Sequence, residues 1–214
     1  MASDVLQKLI EGNHQFRETY FKKDKELYEH LVLHGQCPKI MVIACSDSRV
    51  DPAIIFNCQP GELFVVRNVA NLVPPREAVT MYHGTSAAIE FGVRVLQVEH
   101  LIVLGHTQCG GIQALLRGVP QVEDHSYGFI SKWLELARPA YTTTMKTCSE
   151  CTFEQQAHAC ERFALRNSLE HLKTFEWINK RCAEKKLTLH AWHFDLSDGS
   201  IARFDESRDA WLIA

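Results

Sequence analysis

Cysteine and histidine placement raises the first chemical question. Cys45 follows the apolar run Lys39–Ala44 and opens the segment Cys45-Ser46-Asp47-Ser48-Arg49, while His106 and Cys109 sit in Gly105-His106-Thr107-Gln108-Cys109-Gly110-Gly111. Two thiolates and one imidazole suit Zn²⁺, a borderline-soft ion that prefers tetrahedral coordination. Three protein ligands leave a fourth position for water, which marks a catalytic site as opposed to a structural one. One such ion per chain is expected. On spacing alone, His106-x2-Cys109 reads equally as a packed loop pair. The segment after Cys45 shifts the balance. Asp47 and Arg49 can pair through bidentate hydrogen bonds, and an arbitrary Asp-x-Arg reads as a structural ion pair in a turn. Two residues from a candidate ligand, the carboxylate is instead placed to accept a hydrogen bond from water at the metal.

For these groups to meet, the strands ahead of them must be neighbours. Lys39–Ala44, Leu63–Val66 and Leu101–Leu104 are short apolar runs, as expected of strands buried on both faces of a parallel sheet. Sites in open α/β sheets form beyond the carboxyl ends of strands, where Cys45 and the His106/Cys109 pair both fall. The span 85–98 reads as a helix with Ala88, Phe91, Val95 and Val98 on one face, and another helix starts near Ile112. Leu165, Leu169, Leu172, Phe175, Ile178 and Cys182 predict one long helix over roughly 153–184. Leu187–Asp195 and Ser200–Phe204 flank Asp198-Gly199, a hairpin signal. The first thirty residues read as helical, with Ser3 as a cap and Leu6, Leu9, Phe16 and Tyr20 roughly on one face. The expected class is α/β: a mostly parallel central sheet of four strands plus an antiparallel edge strand, flanked by helices, with an extended N-terminal helical arm.

A chain of 214 residues fits one large α/β domain, so 1–214 is expected to be a single domain with 1–34 as the arm. The net charge of -3 gives no electrostatic reason for a nucleic acid or anionic membrane partner. No stretch approaches the ~18 apolar residues of a membrane span, no targeting segment is recognisable, and a cytoplasmic location is expected. Eight cysteines without a secretion signal point to metal binding, catalysis or buried thiols. Cys148-x2-Cys151, with His158 and Cys160 nearby, could form a second metal knuckle or a redox pair, although no matching second half of a knuckle follows. His83 reads as an exposed loop histidine or a proton relay. His190 and His193 read as structural.

Three motifs carry a family resemblance: Cys-Ser-Asp-Ser-Arg at 45–49, Pro60-Gly61-Glu62-Leu63-Phe64 leading to Arg67-Asn68-Val69-Ala70-Asn71, and Gly105-His106-x-x-Cys109-Gly110-Gly111. In order and spacing, from about Gly35 to Gly118, the chain resembles the β-class carbonic anhydrases. The resemblance implies a zinc enzyme that reversibly hydrates CO₂ to bicarbonate, on a mostly parallel sheet, as a homodimer or dimer of dimers. It implies Cys45, His106 and Cys109 as metal ligands and Asp47 with Arg49 as the catalytic pair. Gln36 matches a substrate-binding glutamine; Phe64, Val69 and Phe91 match an apolar substrate wall; Gly110 matches a backbone amide beside it. The N-terminal helices would extend over a partner subunit, with Phe16, Tyr20 and Phe21 as anchors. Some relatives carry Tyr where this chain has Phe91, so any role for a phenol hydroxyl is absent. Relatives regulated by bicarbonate carry Trp and Tyr where this chain has Val42 and Phe194, so that regulatory pocket is expected to be missing.

Two thiolates neutralise Zn²⁺ formally, so its water should be less acidic than at a three-histidine site, and activity is expected to rise with pH above neutrality. The same site could instead hydrolyse CS₂ or COS, which are also linear and apolar, or serve as a non-catalytic zinc-stabilised scaffold. The intact Asp47–Arg49 pair argues against the scaffold.

Overall fold

The computed structural model describes residues 2–77, 83–118 and 128–214. They divide into two compact units, the first ending at Cys37 and the second running Pro38–Ala214. The division falls close to the arm boundary expected at residue 34.

The first unit contains helix α1 (Ala2–Phe16), a wider π turn over Arg17–Phe21, and helix α2 (Lys25–His34). Its aromatic residues pack on one another: the Phe21 and Tyr28 rings lie 4.6 Å apart and the Phe16 and Tyr20 rings 5.5 Å apart. Val5, Leu6, Leu9 and Ile10 on α1 stay exposed in the chain. Ser3 lies inside α1, not at a cap before it. Gly35 ends α2 at φ +74°, a left-handed conformation that costs glycine little.

The second unit is built on a six-stranded sheet in the order β2-β1-β3-β4-β5-β6. The strands are β1 (Ile40–Cys45), β2 (Leu63–Asn68), β3 (His100–His106), β4 (Thr188–Phe194), β5 (Ile201–Asp205) and β6 (Ala210–Ile213). The first four pair in parallel and the last two join antiparallel. β1 and β3 occupy the middle, where both faces are covered, and this is why their sequences are unbroken apolar runs. On one face Met41, Ile43, Leu101, Val103 and Ala191 pack against Ile89 and Val93, Leu165 and Leu169, and Ile178. These come from helices α4 (Gly84–Glu90) with its π-turn extension Phe91–Val95, α8 (Phe153–Leu172) and α9 (Glu176–Ala183). The opposite face buries Val42, Ala44, Ile102 and Leu104 beside Ile55 of the short helix α3 (Pro52–Ile55), Trp192 and Phe194. A third cluster lies beyond the carboxyl ends of β1 and β3, where helices α5 (Gly110–Arg117), α6 (Gly128–Leu134) and α7 (Arg138–Thr147) meet α8.

Four further local expectations change. The helix over 85–98 buries Ile89, Gly92 and Val93, not Phe91 and Val95, which are exposed. The π turn slips the helical phase by one residue, and Gly92 admits the Met41 sulfur 2.7 Å from where a Cβ would stand. The long helix over 153–184 breaks at 173–175. There the Thr174 hydroxyl donates to the His171 carbonyl at 2.6 Å and the Asn179 amide to the Lys173 carbonyl, competing for the last carbonyls of α8. The sheet has one strand more than expected, β6, which follows a turn in which Asp205 accepts bonds from the Ser207 amide and hydroxyl. Cys148 and Cys151 are joined to each other as a disulfide, so they form neither half of a metal knuckle, and Cys160 is a separate buried thiol.

Candidate metal centre

The register of the parallel strands brings the candidate ligands together. Ala44 pairs with Leu104, so β1 and β3 end side by side, one carrying Cys45 and the other His106. The chain then turns through Thr107 and Gln108, the latter at φ +58°, and presents Cys109 at the start of α5. All three residues are buried, at 5%, 1% and 1% exposure. Their ligand atoms lie within 4.8 Å of one another, and the two sulfurs are 3.9 Å apart. Among the described residues this is the only such convergence of His, Cys, Asp or Glu side chains.

The state of His106 shows what the cluster suits. Its Nδ1–H donates to the Thr107 carbonyl at 2.8 Å, which leaves the Nε2 lone pair facing the sulfurs. Nε2 is buried and has no hydrogen-bond partner. A buried acceptor without a donor is costly, and a cation held jointly with the sulfurs satisfies it. The Cys45 thiol is pulled down to about 4, chiefly by the hydrogen bond from Cys109 and, against burial, by His106 beside it. Cys109 is pushed well up by the same hydrogen bond and by burial. Burial pulls the His106 ring down, but the neighbouring Cys45 sulfur outweighs it and the net shift is upward. Ligation of a cation by both sulfurs as thiolates would release any proton they hold. Two thiolates and one imidazole fit a zinc-type ion.

Beside the trio, Asp47 and Arg49 make the bidentate pair that their spacing predicts. Arg49 Nε donates to Asp47 Oδ1 at 2.9 Å and Nη2 to Oδ2 at 2.7 Å. The Arg49 amide adds a third bond to Oδ1 at 2.9 Å, and Nη2 also reaches the Gln108 carbonyl at 3.1 Å. These bonds hold the Asp47 carboxyl well below the usual carboxylate range, with partial burial opposing them. Asp47 Oδ2 lies 3.9 Å from His106 Nε2, so the carboxylate borders the trio without joining it.

Three further groups hold this loop, and the sequence reading gave none of them a role. Arg67 donates to the Cys45 carbonyl at 3.0 Å and to the Asp47 carbonyl at 2.6 Å, and pairs with Asp51 at 3.2 Å. Asp51 in turn caps α3 by accepting from the Ala53 amide. The amide of Cys109 is met from α8 by Glu161. Arg67 lies within the second of the family motifs, but two of its three partners are backbone carbonyls that no sequence pattern marks.

The remaining predicted residues divide. Val69 lies beside the site: a Cβ on Gly111 would stand 3.0 Å from Val69 Cγ1 and 2.9 Å from Ala70 Cβ. The turn that presents it is fixed by Asn68, whose side chain brackets the Leu72 amide and carbonyl, and by the Trp133 indole, which donates to the Val69 carbonyl at 2.8 Å. Gly110 opens α5 directly after Cys109. Phe64 and Phe91 are not brought to the trio. Their rings lie 5.8 Å apart, and Phe64 packs with the Met41 cluster. Phe64 pairs with Met41 whereas Asn68 pairs with Cys45, so Phe64 sits four residues, about 13 Å, back along the strand. Gln36 belongs to the first unit. His193 meets Glu161 and His190 meets His100, consistent with structural roles for both.

The sequence pattern of the carbonic anhydrase family matches residues 40–201, a span that holds the trio, the Asp47–Arg49 pair and the strands that carry them. The chain belongs to the β-carbonic anhydrase family. The chloroplastic β carbonic anhydrase 5 of Arabidopsis thaliana is 38% identical over 94% of this chain, which spans 65% of that protein's length. The mitochondrial β carbonic anhydrase 6 of the same plant is 37% identical, covering 94% of this chain and 69% of that protein. Among solved structures, the β-carbonic anhydrase CcaA superposes with a TM-score of 0.91 at 30% identity, covering 99% of this chain and 92% of that one. A tetrameric β-carbonic anhydrase from Sordaria macrospora gives 0.82 at 26%, covering 94% and 96%. The cytoplasmic location expected from the lack of a recognisable targeting segment is overturned, because these Arabidopsis members of the β-carbonic anhydrase family are named for organelles.

Proposed function

We propose that this chain catalyses the zinc-dependent, reversible hydration of carbon dioxide to bicarbonate and a proton. The observation that carries this reading is the unpartnered, buried Nε2 of His106 facing two cysteine sulfurs, with the ionised Asp47 at its border. Cys45, His106 and Cys109 would hold the zinc, one per chain. When bound, zinc supplies the Lewis acidity that makes water a nucleophile near neutral pH.

The protein's own groups account for the remaining steps. Arg49 keeps Asp47 ionised, so its Oδ2 accepts a hydrogen bond from the attacking water and fixes the direction of that water's free lone pair. Carbon dioxide has no dipole, and Val69 offers it an apolar surface next to the trio. The Gly110 amide, directly after Cys109, would donate to the product oxygen on which negative charge collects.

Phe64 and Phe91 can serve as substrate wall only from a second copy of the chain, because within one chain they lie away from the trio. This reading makes the active site a shared one and the enzyme a homodimer or dimer of dimers. The 1–34 arm, with its exposed Leu6, Leu9 and Ile10, would dock on the partner. Zinc analysis paired with stopped-flow carbon dioxide hydration tests the proposal: one zinc per chain with rapid hydration is expected, and a metal-free chain or a zinc-loaded one without turnover would overturn it.

A further inference from the structure

Cys109 has a backbone amide that the fold cannot satisfy from its own segment. It precedes the first turn of α5, where amides have no helical acceptor. The acceptor comes from another element. Glu161 of α8 takes this N–H on Oε1 at 3.0 Å. Its other oxygen, Oε2, is 3.2 Å from Nε2 of His193 on β4. Glu161 is 3% exposed and His193 2%. A carboxylate so deeply buried is costly unless each oxygen is engaged, and here each has one partner.

The packing that places it there is specific. His193 pairs across the sheet with Gly105, one residue before His106. A Cβ on Gly105 would stand 2.9 Å from Leu165 Cδ1, so the absent side chain lets α8 press against β3 at this level. Leu165 and Glu161 are four residues apart and share a helix face. The same approach that seats Leu165 on Gly105 carries Glu161 over the strand end, where His106 and Cys109 leave the sheet.

We infer that Glu161, held by His193, is a positioning residue for the Cys109 ligand: it fixes the backbone of the His106–Cys109 turn so that sulfur and imidazole converge before any ion binds. This rests on the reading of Cys45, His106 and Cys109 as metal ligands. The role falls to Glu161 because a carboxylate has two acceptor oxygens on one rigid plane, and can therefore tie a loop amide to a buried imidazole from a third element. Nothing in the motif-bearing segments signals it, since position 161 lies some fifty residues further along the chain.

The test measures zinc affinity by competition with a chromophoric chelator, together with the absorption spectrum of the cobalt(II)-substituted protein, which reports coordination geometry. Glu161→Leu should weaken zinc binding about 10- to 100-fold, the usual cost of removing a partner of a metal ligand, and should alter the cobalt bands. Glu161→Gln, which keeps an acceptor for the Cys109 amide but gives up the charge-assisted bonds, should weaken zinc binding by a smaller but measurable factor of about three- to tenfold, and it carries the test if the leucine variant does not fold. Ile178→Ala, buried on α9 away from the trio, serves as a control that lowers the melting temperature without touching the loop. It should leave zinc affinity and the cobalt spectrum of the folded protein unchanged. Wild-type affinity and spectrum in both Glu161 variants would overturn the inference, as would an equal loss of affinity in the Ile178 control. A wild-type protein that binds no zinc would overturn the ligand reading itself, and this inference with it.

Discussion

His106 is defined by the division of labour between its ring nitrogens. Nδ1 is spent on the carbonyl of the next residue, and Nε2 is left for an ion. Asp47 is similarly committed: three donor bonds from Arg49 hold it in place, while Oδ2 borders the trio. Replacing Asp47 by Asn should therefore leave about one zinc per chain yet reduce carbon dioxide hydration at least ~100-fold, the lower range for loss of a proton-accepting group. Zinc content and stopped-flow rates on the same sample check both halves. Cys109→Ala should lose the metal itself. A different thiol bears on stability. Burial pushes Cys160 up to about 11 from 9.0, so the unfolded chain releases this proton first as pH rises. Folding stability should fall between about pH 9 and 11 by roughly 2 kcal/mol from this group. Urea melts at pH 8 and 10.5 should show a smaller loss in Cys160→Ala than in wild type.

The residues that do the proposed chemistry were readable because two short segments carry them, each with a cluster of rare types. Arg67 and Glu161 were not. Each reaches the site through main-chain atoms of another segment, and main-chain atoms leave no trace in residue identity. The elements show the same limit. β1 and β3 were legible as unbroken apolar runs because both of their faces are covered, whereas β6 has only four residues, too few for any period to emerge. Helix phase beyond Phe91 and the break at 173–175 escaped a reading based on 3.6-residue spacing, because a π turn and two side-chain-to-carbonyl bonds decide them. Close contacts between elements supply a test of their own. Gly111→Ala would drive a methyl group into Ala70 and Val69, and should cost about 1–3 kcal/mol in denaturant melts. Because Val69 flanks the site, the same change should also lower kcat/KM.

Across the whole molecule, the proposed substrate wall and the trio do not meet within one chain. Phe64 and Phe91 meet in a tilted ring contact with Phe91 43% exposed, and α1 leaves Val5, Leu6 and Leu9 between 64% and 67% exposed. Apolar surface of this extent on a short helix calls for a cover. The double variant Leu6→Glu/Leu9→Glu should shift sedimentation toward the monomer and reduce activity in parallel. A variant that stays fully associated would remove the arm from the proposed interface. The expectation of a cytoplasmic location rested on finding no recognisable targeting segment or membrane span, and that observation carries no address.

The parallel register sets one further constraint. Side chains alternate faces along a strand, so deleting a single residue between Ile40 and Ala44 would turn Cys45 to the opposite side of the sheet and shift it by about 3.3 Å. No rotamer change restores three-point chelation from there. A chain that has paired β1 with β3 one step out of alignment cannot grip the ion, so chelation would discriminate between correct and slipped strand pairing, and a metal-loaded molecule would be one whose sheet has assembled in frame.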